Sequence, residues 1–247
     1  DAVIRKQLKI RACKARMGII EGVFNAKSGH PGGSLSCVDI LTYLYFDHMN
    51  IDPQDPKNED RDRFVLSNCL LYTSPYTPGV EMYTGSLGQG ISAACGMALG
   101  AKLAGKSFRV FTVLGDGEIQ EGQVWEAAMY ASAKGLDNLV AVVDNNGLQI
   151  DGKIAEVNSP YPIAEKFKSF GWNVLEISAH SFDEIDAAFN AAAEFKGKPS
   201  VIVASSVKGK GVSFMEDQVG WHGTAPNAEQ YEQAMSELNA ALAELEA

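Results

Sequence analysis

The sequence predicts an α/β fold in which a mostly parallel sheet is flanked by helices. Two apolar runs of strand length, at 108–114 and 138–144, are bounded by turn residues and are typical of buried parallel strands. Helical segments alternate with the predicted strands, which indicates right-handed crossovers between parallel neighbours. The 247 residues contain no internal repeat and no low-complexity linker, so we predict a single domain over residues 1–247.

The first 90 residues predict two helices and one short strand. Apolar residues at helical spacing predict helices at 2–26 and at about 35–49. The stretch KSGHPGGS, at 27–34, separates them because its proline and three glycines disfavour a continuing helix. A polar loop then precedes a strand at 62–67, and the turn-rich stretch at 68–90 is predicted to be irregular.

Beyond residue 90, helices and strands alternate. The small and apolar residues at 91–104 predict a buried helix, and the strand at 108–114 follows it directly. The remaining predicted helices are 120–133, 163–170, 182–195 and 227–246, and the remaining predicted strands are 138–144, 172–177 and 200–205.

Composition excludes several classes of partner. Lysine and arginine number 21 against 31 acidic residues, and the resulting net charge of −10 argues against nucleic acid or an anionic membrane. No apolar run reaches the roughly 18 residues of a membrane helix, and the N-terminal segment does not resemble a signal peptide. Four widely spaced cysteines without a CxxC pair predict reduced thiols and a cytoplasmic protein rather than a zinc cluster.

The stretch LGDGEIQEG, at 114–122, places a carboxylate between two glycines directly after a predicted strand. Glycine allows a sharp turn and close approach of the backbone to a ligand, and the start of the next helix attracts phosphate. Asp116 would repel phosphate unless a cation lies between them, and Mg²⁺ suits that position. Taken alone, this stretch is also compatible with an ordinary turn.

A second candidate loop, DNNGLQIDG at 144–152, follows the next strand. Asn146 offers an amide oxygen and Leu148 a backbone carbonyl, which are oxygen ligands of the kind that Mg²⁺ prefers. Ligands of parallel sheets bind beyond the carboxyl ends of the strands, so Asp116 and Asn146 are expected to face one crevice. Together, the two loops favour a site for Mg²⁺ and a diphosphate over two unrelated turns.

The spacing between GDG and NN resembles the thiamine diphosphate-binding motif. Over essentially the whole chain the sequence is similar to transketolase, in particular to the N-terminal chain of a transketolase split into two chains. The resemblance implies the thiamine diphosphate-binding fold, with this chain as its pyrophosphate-binding domain. It rests on KSGHPGG (27–33), TGSLGQG (84–90), EIQEGQVWEAAMYASAKGLDNLVAVVD (118–144), NNGLQIDG (145–152) and VKGKGVSFME (207–216).

The resemblance implies which residues hold the cofactor and its metal. Without it, the residues at 85–90 would favour a turn at the entry to a helix. The implied Mg²⁺ ligands are Asp116, Asn146 and the carbonyl of Leu148, and the implied thiamine diphosphate contacts are Gly117 with the diphosphate, Gly85 and Leu87 with the aminopyrimidine, Ile150 with the thiazolium, and Asn146 and His222.

The reaction implied is ketol transfer, as in the pentose phosphate pathway: a two-carbon glycolaldehyde unit moves from a ketose phosphate to an aldose phosphate. His30 and His222 are the implied catalytic histidines, although His30 alone could equally be a loop histidine. Glu121, with Glu126, is implied to join two active sites across a subunit interface; both glutamates could otherwise lie on a solvated helix face.

Other side chains carry weaker predictions. His48 and His180 match no motif and are predicted to be structural or exposed. Lys208 and Lys210 could steer sugar phosphates or lie in a solvated loop. Trp125 is predicted to lie in the core or at an interface rather than against the cofactor.

The chain departs from the family pattern in two places. No pyrimidine-binding domain with its activating glutamate follows, so a partner chain is expected to supply it. This chain is therefore expected to be inactive alone. Two copies of each chain are expected to assemble. Alternatively, the sequence is a piece of a longer protein. After Asn68, an expected Gly-His and a further histidine are missing, which suggests an interruption between about 68 and 78.

Two other readings remain open, and a third is disfavoured. Another thiamine diphosphate enzyme, such as a deoxyxylulose-phosphate synthase or a 2-oxoacid dehydrogenase subunit, would share the GDG and NN loops. A non-catalytic binding or regulatory module could keep the fold without the activity. A Rossmann dinucleotide-binding domain is disfavoured, because GSLGQG does not match GxGxxG after a strand.

Overall fold

The structure, a computed structural model, describes residues 2–67 and 79–247 and confirms the predicted α/β class. The helices are α1 (Ala2–Ala26), α2 (Pro31–Tyr43), α3 (Gly90–Leu103), α4 (Gly122–Ala133), α5 (Ile154–Val157), α6 (Ile163–Ser169), α7 (Phe182–Glu194) and α8 (Ala228–Glu246). The strands are β1 (Arg63–Leu66), β2 (Met82–Tyr83), β3 (Val110–Gly115), β4 (Leu139–Asn145), β5 (Leu148–Gln149), β6 (Gly152–Lys153), β7 (Asn173–Ser178) and β8 (Ser200–Ser205). A π-helical turn spans Leu44–His48, and 3₁₀ turns span Glu118–Gln120 and Val219–Trp221.

Within the described residues, the main sheet has the strand order β2–β1–β3–β4–β8–β7, and every neighbouring pair is parallel. The register places Gly115 opposite Asp144, and Asn145 opposite Ser205. The carboxyl ends of β3, β4 and β8 therefore lie at one edge, which is where the candidate loops begin. The short strands β5 and β6 form a separate antiparallel hairpin just beyond β4.

The central strands are buried on both faces, as their continuous apolar runs predict. Along β3, Phe111 and Val113 pack into a cluster with α2 and α7, whereas Val110 and Leu114 pack with α3 and α4 on the opposite face. A third cluster joins α1, α8 and the segment after β8, through side chains such as Met215. Among residues 2–67 and 79–247, no helix combines the length and the apolar character needed to cross a bilayer.

The predicted start of the second helix at about 35 is wrong, because α2 begins at Pro31. Proline suits the first turn of a helix, where its missing N–H costs no intrahelical hydrogen bond. Gly32 belongs to this turn because of a close approach: a Cβ there would lie 2.8 Å from the carbonyl oxygen of Trp221. Gly32 therefore serves helix packing, whereas the actual break covers only residues 27–30 and includes Gly29, which has a φ of +140°.

Smaller differences concern the ends of elements. The second helix changes from α to π geometry over Leu44–His48, and β3 begins two residues later than predicted. The strand β2 lies within the stretch predicted to be irregular. The predicted interruption between about 68 and 78 lies outside the described residues.

Two glycines of α3 provide a matched test of the packing at the strand edge. A Cβ at Gly90 would lie 2.5 Å from the Oγ of Ser67 and 2.9 Å from its Cα, whereas a Cβ at Gly100 would meet no atom within 4 Å. We expect Gly90→Ala to lower the free energy of unfolding by about 1–3 kcal/mol through overpacking. Gly100→Ala should raise it by up to about 1 kcal/mol through helix propensity. Urea denaturation measures both, and a Gly90→Ala protein as stable as the Gly100→Ala protein would contradict this packing.

Candidate functional site

A cavity of about 400 Å³ lies beyond the carboxyl ends of β3 and β4. The structure brings the predicted site residues to its wall, with the exception of Glu126, and the roles of these residues stay predictions. The wall is formed by His30, Gly33, Gly85, Leu87, Gly115, Asp116, Gly117, Glu118, Gln120, Glu121, Asp144, Asn146, Leu148, Gln149, Ile150, Lys208 and His222.

Asp116 lies on the cavity floor with almost no exposed surface. Its Oδ1 accepts a hydrogen bond of 2.9 Å from the N–H of Gly117, and its Oδ2 accepts one from the N–H of Gly147 in the neighbouring loop. Burial raises the pKa of this carboxyl to about 7; the nearby carboxylate of Asp144 adds to the effect, and the two backbone donors oppose it. Near neutral pH, Asp116 is therefore poised between its protonated and ionised forms.

Asn146 and Leu148 lie in the loop after β4, and both line the cavity. The Oδ1 of Asn146 accepts from the N–H of Leu148 at 3.1 Å, and its Nδ2 donates to Asp144 at 3.3 Å. The carbonyl oxygen of Leu148 accepts from the Nζ of Lys208 at 3.1 Å. A carbonyl oxygen has two lone pairs, so this contact leaves acceptor capacity for a metal ion.

The donor set fits Mg²⁺. A carboxylate, a side-chain amide oxygen and a backbone carbonyl are hard oxygen ligands, and Mg²⁺ commonly takes few protein oxygens beside phosphate oxygens and water. A bound divalent cation would also stabilise the ionised form of Asp116, which burial disfavours.

Lys208 is a functional candidate whose position the sequence does not reveal. Its side chain is only 2 % exposed, so the alternative of a solvated loop is wrong for this residue. Its Nζ also lies 2.9 Å from the Nδ1 of His222. Burial lowers the pKa of Lys208, while Asp116 and Asp144 act in the opposite direction. The ammonium group thus brings positive charge to the floor of the cavity, beside the predicted metal ligands.

A helix N-terminus does not follow GDG directly, which corrects a second expectation. The 3₁₀ turn at Glu118–Gln120 comes first, and α4 begins only at Gly122. The turn is fixed by Glu118, whose Oε2 accepts from the N–H of Gly115 at 3.0 Å. At this edge, Lys208 therefore supplies the positive charge that the sequence assigned to a helix dipole.

Glu118 is a second residue that sequence reasoning misses. Its Oε1 accepts from the hydroxyl of Ser67 at the end of β1 and, at 2.9 Å, from the N–H of Gly88. The side chain is buried, and burial raises its pKa. One carboxylate therefore joins the end of β1, the start of the GDG loop and the loop that carries Gly85. Glu118 stands among polar residues in the sequence, so the hydrophobic periodicity does not predict that its side chain is buried.

Asp144, at the end of β4, has a similar role. Its carboxylate accepts hydrogen bonds from Ser36 of α2 and from Ser206 just after β8, and burial raises its pKa. Gln120 and Gln149 provide a further link, since the Nε2 of Gln120 lies 2.7 Å from the Oε1 of Gln149. These contacts hold the β5–β6 hairpin and α2 against the floor.

The two candidate histidines contact each other at the cavity wall. The rings of His30 and His222 meet edge to face with their centres 5.6 Å apart. Burial is the main cause that lowers both pKa values, and the Lys208 ammonium adds to it; the pKa of His222 falls to about 4. Both rings are therefore neutral at neutral pH, the state in which imidazole can accept as well as donate a proton.

The rim of the cavity is apolar and open. Leu87 is 42 % exposed and Ile150 is 64 % exposed, in contrast to the buried floor. Glu121 is also exposed and occupies the N-cap position of α4 without a capping hydrogen bond from its side chain. Gly88 packs against it so closely that a Cβ at Gly88 would lie 2.9 Å from the Cβ of Glu121. Glu126 is exposed farther along α4, beside a shallow groove between α3 and α4.

Three other residues singled out in the sequence lie outside the cavity wall and are held by ring packing or by hydrogen bonds. Trp125 packs against the rings of Phe167 and Phe170, as expected for a core residue. His48 contacts Arg109 through its Nε2 at 2.8 Å, which fits a structural role. His180 is also held by hydrogen bonds, to Asp39 and to the backbone of Val207.

The sequence matches the family described as "Transketolase, thiamine diphosphate binding domain" in two segments, residues 8–76 and 73–241. It is 38 % identical to one of the subunits of the apulose-4-phosphate transketolase of Phocaeicola vulgatus, with 97 % of this chain and 96 % of that protein covered. It is 40 % identical to the 6-deoxy-6-sulfo-D-fructose transketolase subunit SqwG of Clostridium sp. (strain MSTE9), with 85 % and 88 % covered.

Solved transketolases share the fold. The crystal structure of the enzyme from Campylobacter jejuni superposes with a TM-score of 0.83 at 26 % identity, with 97 % of this chain and 45 % of that chain covered. This chain thus spans less than half of the Campylobacter jejuni chain but nearly all of the matched protein from Phocaeicola vulgatus. The family and the transferase class predicted from the sequence are confirmed by these relatives.

The buried Asp116 predicts a pH dependence of stability in a metal-free buffer. Its pKa in the folded chain is raised from 3.8 to about 7, so between these values the folded chain binds more protons than the unfolded chain. The free energy of unfolding should therefore fall as the pH rises through this range. Asp116→Ala should remove a part of this fall on the order of 4 kcal/mol, at about 1.4 kcal/mol per pKa unit.

Denaturation with urea across this pH range measures the effect. Asp47→Ala, which removes an exposed carboxylate, serves as the matched control and should keep the slope of the wild type. Equal slopes for the wild type and Asp116→Ala would show that Asp116 ionises in the folded chain as it does in the unfolded chain.

Proposed function

The chain belongs to the transketolase thiamine diphosphate-binding domain family, and we propose that it is the cofactor-holding chain of a two-chain transketolase. The observation that carries this proposal is the meeting of Asp116, Asn146, the Leu148 carbonyl and the Lys208 ammonium on one cavity floor. Oxygen ligands for a divalent cation next to a buried positive charge suit a diphosphate that is bound through a metal ion.

On this proposal, Asp116, Asn146 and the carbonyl of Leu148 hold Mg²⁺. Lys208 binds the diphosphate directly, because its ammonium group is buried at the floor and has donors to offer. Gly117 presents its N–H to the same space, where it now donates to Asp116. Thiamine diphosphate, when bound, supplies the stabilisation of a carbanion, and the chain supplies binding, orientation and proton transfer.

The proposed reaction is the transfer of a two-carbon glycolaldehyde unit from a ketose phosphate to an aldose phosphate, as in the pentose phosphate pathway. His30 and His222 are proposed to hold and move protons on the oxygens of the substrate. Their support is the neutral state of both rings and their position on the cavity wall. The names of the relatives from Phocaeicola vulgatus and Clostridium specify a phosphorylated and a sulfonated sugar, which favours a sugar with an anionic end as the substrate.

A partner chain is proposed to complete the site. Gly85, Leu87 and Ile150 are proposed to contact the thiamine rings, and the exposure of Leu87 and Ile150 leaves an apolar surface for a second chain to cover. That C-terminal chain would contribute the pyrimidine-binding domain and the activating glutamate, so this chain would be inactive alone. Two relatives of similar length are named as individual subunits of a transketolase, which supports a divided enzyme.

Self-association is proposed to use the region of Glu121 and Glu126, which would place two sites near one interface in a heterotetramer. Both carboxylates are exposed, and the groove between α3 and α4 lies beside Glu126. The cytoplasm is proposed as the compartment, since the buried thiols of Cys13 and Cys95 are free, as in a reducing environment.

Calorimetric titration with thiamine diphosphate tests the proposed cofactor site. We expect binding that requires Mg²⁺ and that weakens at least about 10-fold in Asp116→Ala, because a metal ligand is lost. Asp47→Ala, with an exposed carboxylate, should bind like the wild type. Binding that is unchanged in Asp116→Ala, or that does not need Mg²⁺, would contradict the proposed metal site.

Reconstitution tests the proposed division of the enzyme. This chain alone should not turn over a ketose phosphate and an aldose phosphate, and a mixture with a C-terminal transketolase chain should do so. In the active mixture, His30→Ala should lower kcat by about 10²-fold or more, as expected for loss of a proton-transfer group. Turnover by the chain alone would refute the need for a partner. Cofactor binding without turnover in any such mixture would favour a non-catalytic module.

A further inference from the structure

A buried ion-pair network outside the cavity joins α1, α2 and the turn before α7 to the loop after β8. It consists of Arg16, Asp39 and His180 and of their contacts with the backbone of Val207 and Lys210, and we call it the Asp39 network. We propose that Asp39 and His180 are positioning residues that hold this loop so that the ammonium group of Lys208 lies at the cavity floor. The functional consequence rests on the diphosphate site proposed above.

Asp39 is the centre of the network. It lies on α2 with 5 % of its surface exposed, and its two carboxylate oxygens accept from the guanidinium of Arg16 at 3.0 and 2.7 Å. The Oδ2 of Asp39 also lies 2.8 Å from the Nδ1 of His180. The two basic partners lower the pKa of Asp39 against the effect of its burial, so the carboxylate is ionised and fixed on both sides.

His180 connects Asp39 to the loop after β8. The N–H of Val207 donates to its Nε2 at 3.0 Å, so Nε2 is the acceptor and Nδ1 carries the proton that faces Asp39. This arrangement fixes the tautomer and the orientation of the ring. The hydrogen bond to Val207 joins the loop one residue before Lys208.

Arg16 provides a second attachment on the other side of Lys208. Its Nε donates to the carbonyl oxygen of Lys210 at 3.0 Å, while its terminal nitrogens bind Asp39. Between the two attachments, the N–H of Gly209 donates to the carbonyl oxygen of Gly32 at 2.9 Å, and Gly209 has a φ of +79°. The backbone before and after Lys208 is therefore held by His180 and Arg16, and both of these side chains bind the carboxylate of Asp39.

The loop after β8 has to be held in place because the side chain of a lysine favours water over a buried position. The ammonium group is strongly hydrated and sits on a flexible four-carbon stem, so a mobile loop would let it reach water. In this structure burial lowers the pKa of Lys208, which reflects the cost of keeping its charge inside. Fixing the backbone at Val207 and Lys210 limits where the side chain can go and directs it to Leu148 and His222.

Two substitutions of His180 distinguish the effect of its hydrogen bond to Val207 from the effect of its side-chain volume. Glutamine can place its side-chain oxygen where Nε2 accepts from Val207, whereas asparagine can replace the donor to Asp39 but is too short to reach Val207. The probe is inorganic diphosphate with Mg²⁺, titrated calorimetrically into the full chain. We expect His180→Asn to weaken binding about 10-fold, as for one buried backbone hydrogen bond left unmade. His180→Gln should bind close to the wild type.

A double-substitution cycle tests whether the effect runs through Lys208. Lys208→Ala should itself weaken binding about 10-fold or more, and adding His180→Asn to it should cause little further loss, because coupled positions are not additive. Wild-type affinity in His180→Asn, equal losses in His180→Asn and His180→Gln, or additive losses in the double variant would each overturn the proposal.

Hydrogen exchange tests the positioning role of His180 without relying on the proposed diphosphate site. If the wild type binds no diphosphate, the proposed cofactor site of the isolated chain fails, and exchange of the Val207 amide then decides the positioning role. That amide should exchange about 10-fold faster in His180→Asn than in His180→Gln or in the control His48→Asn, which removes a histidine bonded to Arg109. Equal exchange in the three variants would refute the Asp39 network as the anchor of the loop.

Discussion

The loops around the cavity depend on the burial of three carboxylates, those of Asp116, Glu118 and Asp144, at one edge of the sheet. An ionised carboxylate without partners is strongly disfavoured in such a place, and the pKa values of all three groups are raised. Each must find hydrogen-bond donors, and the donors lie on different loops. The need to satisfy these charges therefore determines how the loops assemble.

Each carboxylate joins different parts of the chain. Asp144 brings the start of α2 and the end of β8 to β4 through the hydroxyls of Ser36 and Ser206. Glu118 draws the loop of Gly88 toward the end of β1. Asp116 is linked to the loop after β4 by the N–H of Gly147, and its raised pKa shows that this donor and the N–H of Gly117 only partly offset burial. A divalent cation would complete what the protein leaves unsatisfied at Asp116.

The sequence predicts the parts of this arrangement that follow from strand periodicity and from the ends of strands. The runs that form β3 and β4 are continuous and apolar, and in a parallel sheet their carboxyl ends must meet, so strand periodicity alone is enough to pair Asp116 with Asn146. The other residues predicted at the cavity came from the resemblance of short motifs to transketolase, and these motifs do converge on the cavity. Lys208 could not be placed, because its burial depends on Arg16, Asp39 and His180, which are far from it in sequence. The helix after GDG starts late because Glu118 turns back to Gly115, a contact that helix propensity does not encode.

The contrast between floor and rim explains why such a domain would need a second chain. The floor is built entirely from this chain: its carboxylates, its ammonium group and its backbone donors are buried and mutually bonded. At the rim, the side chains of Leu87 and Ile150 remain exposed within the described part of the chain. A charged diphosphate can be held by electrostatic contacts on one side, whereas aromatic rings gain most when both faces are removed from water. On the proposed function, this chain thus supplies the anchoring half of the site, and a partner chain would enclose the thiamine rings.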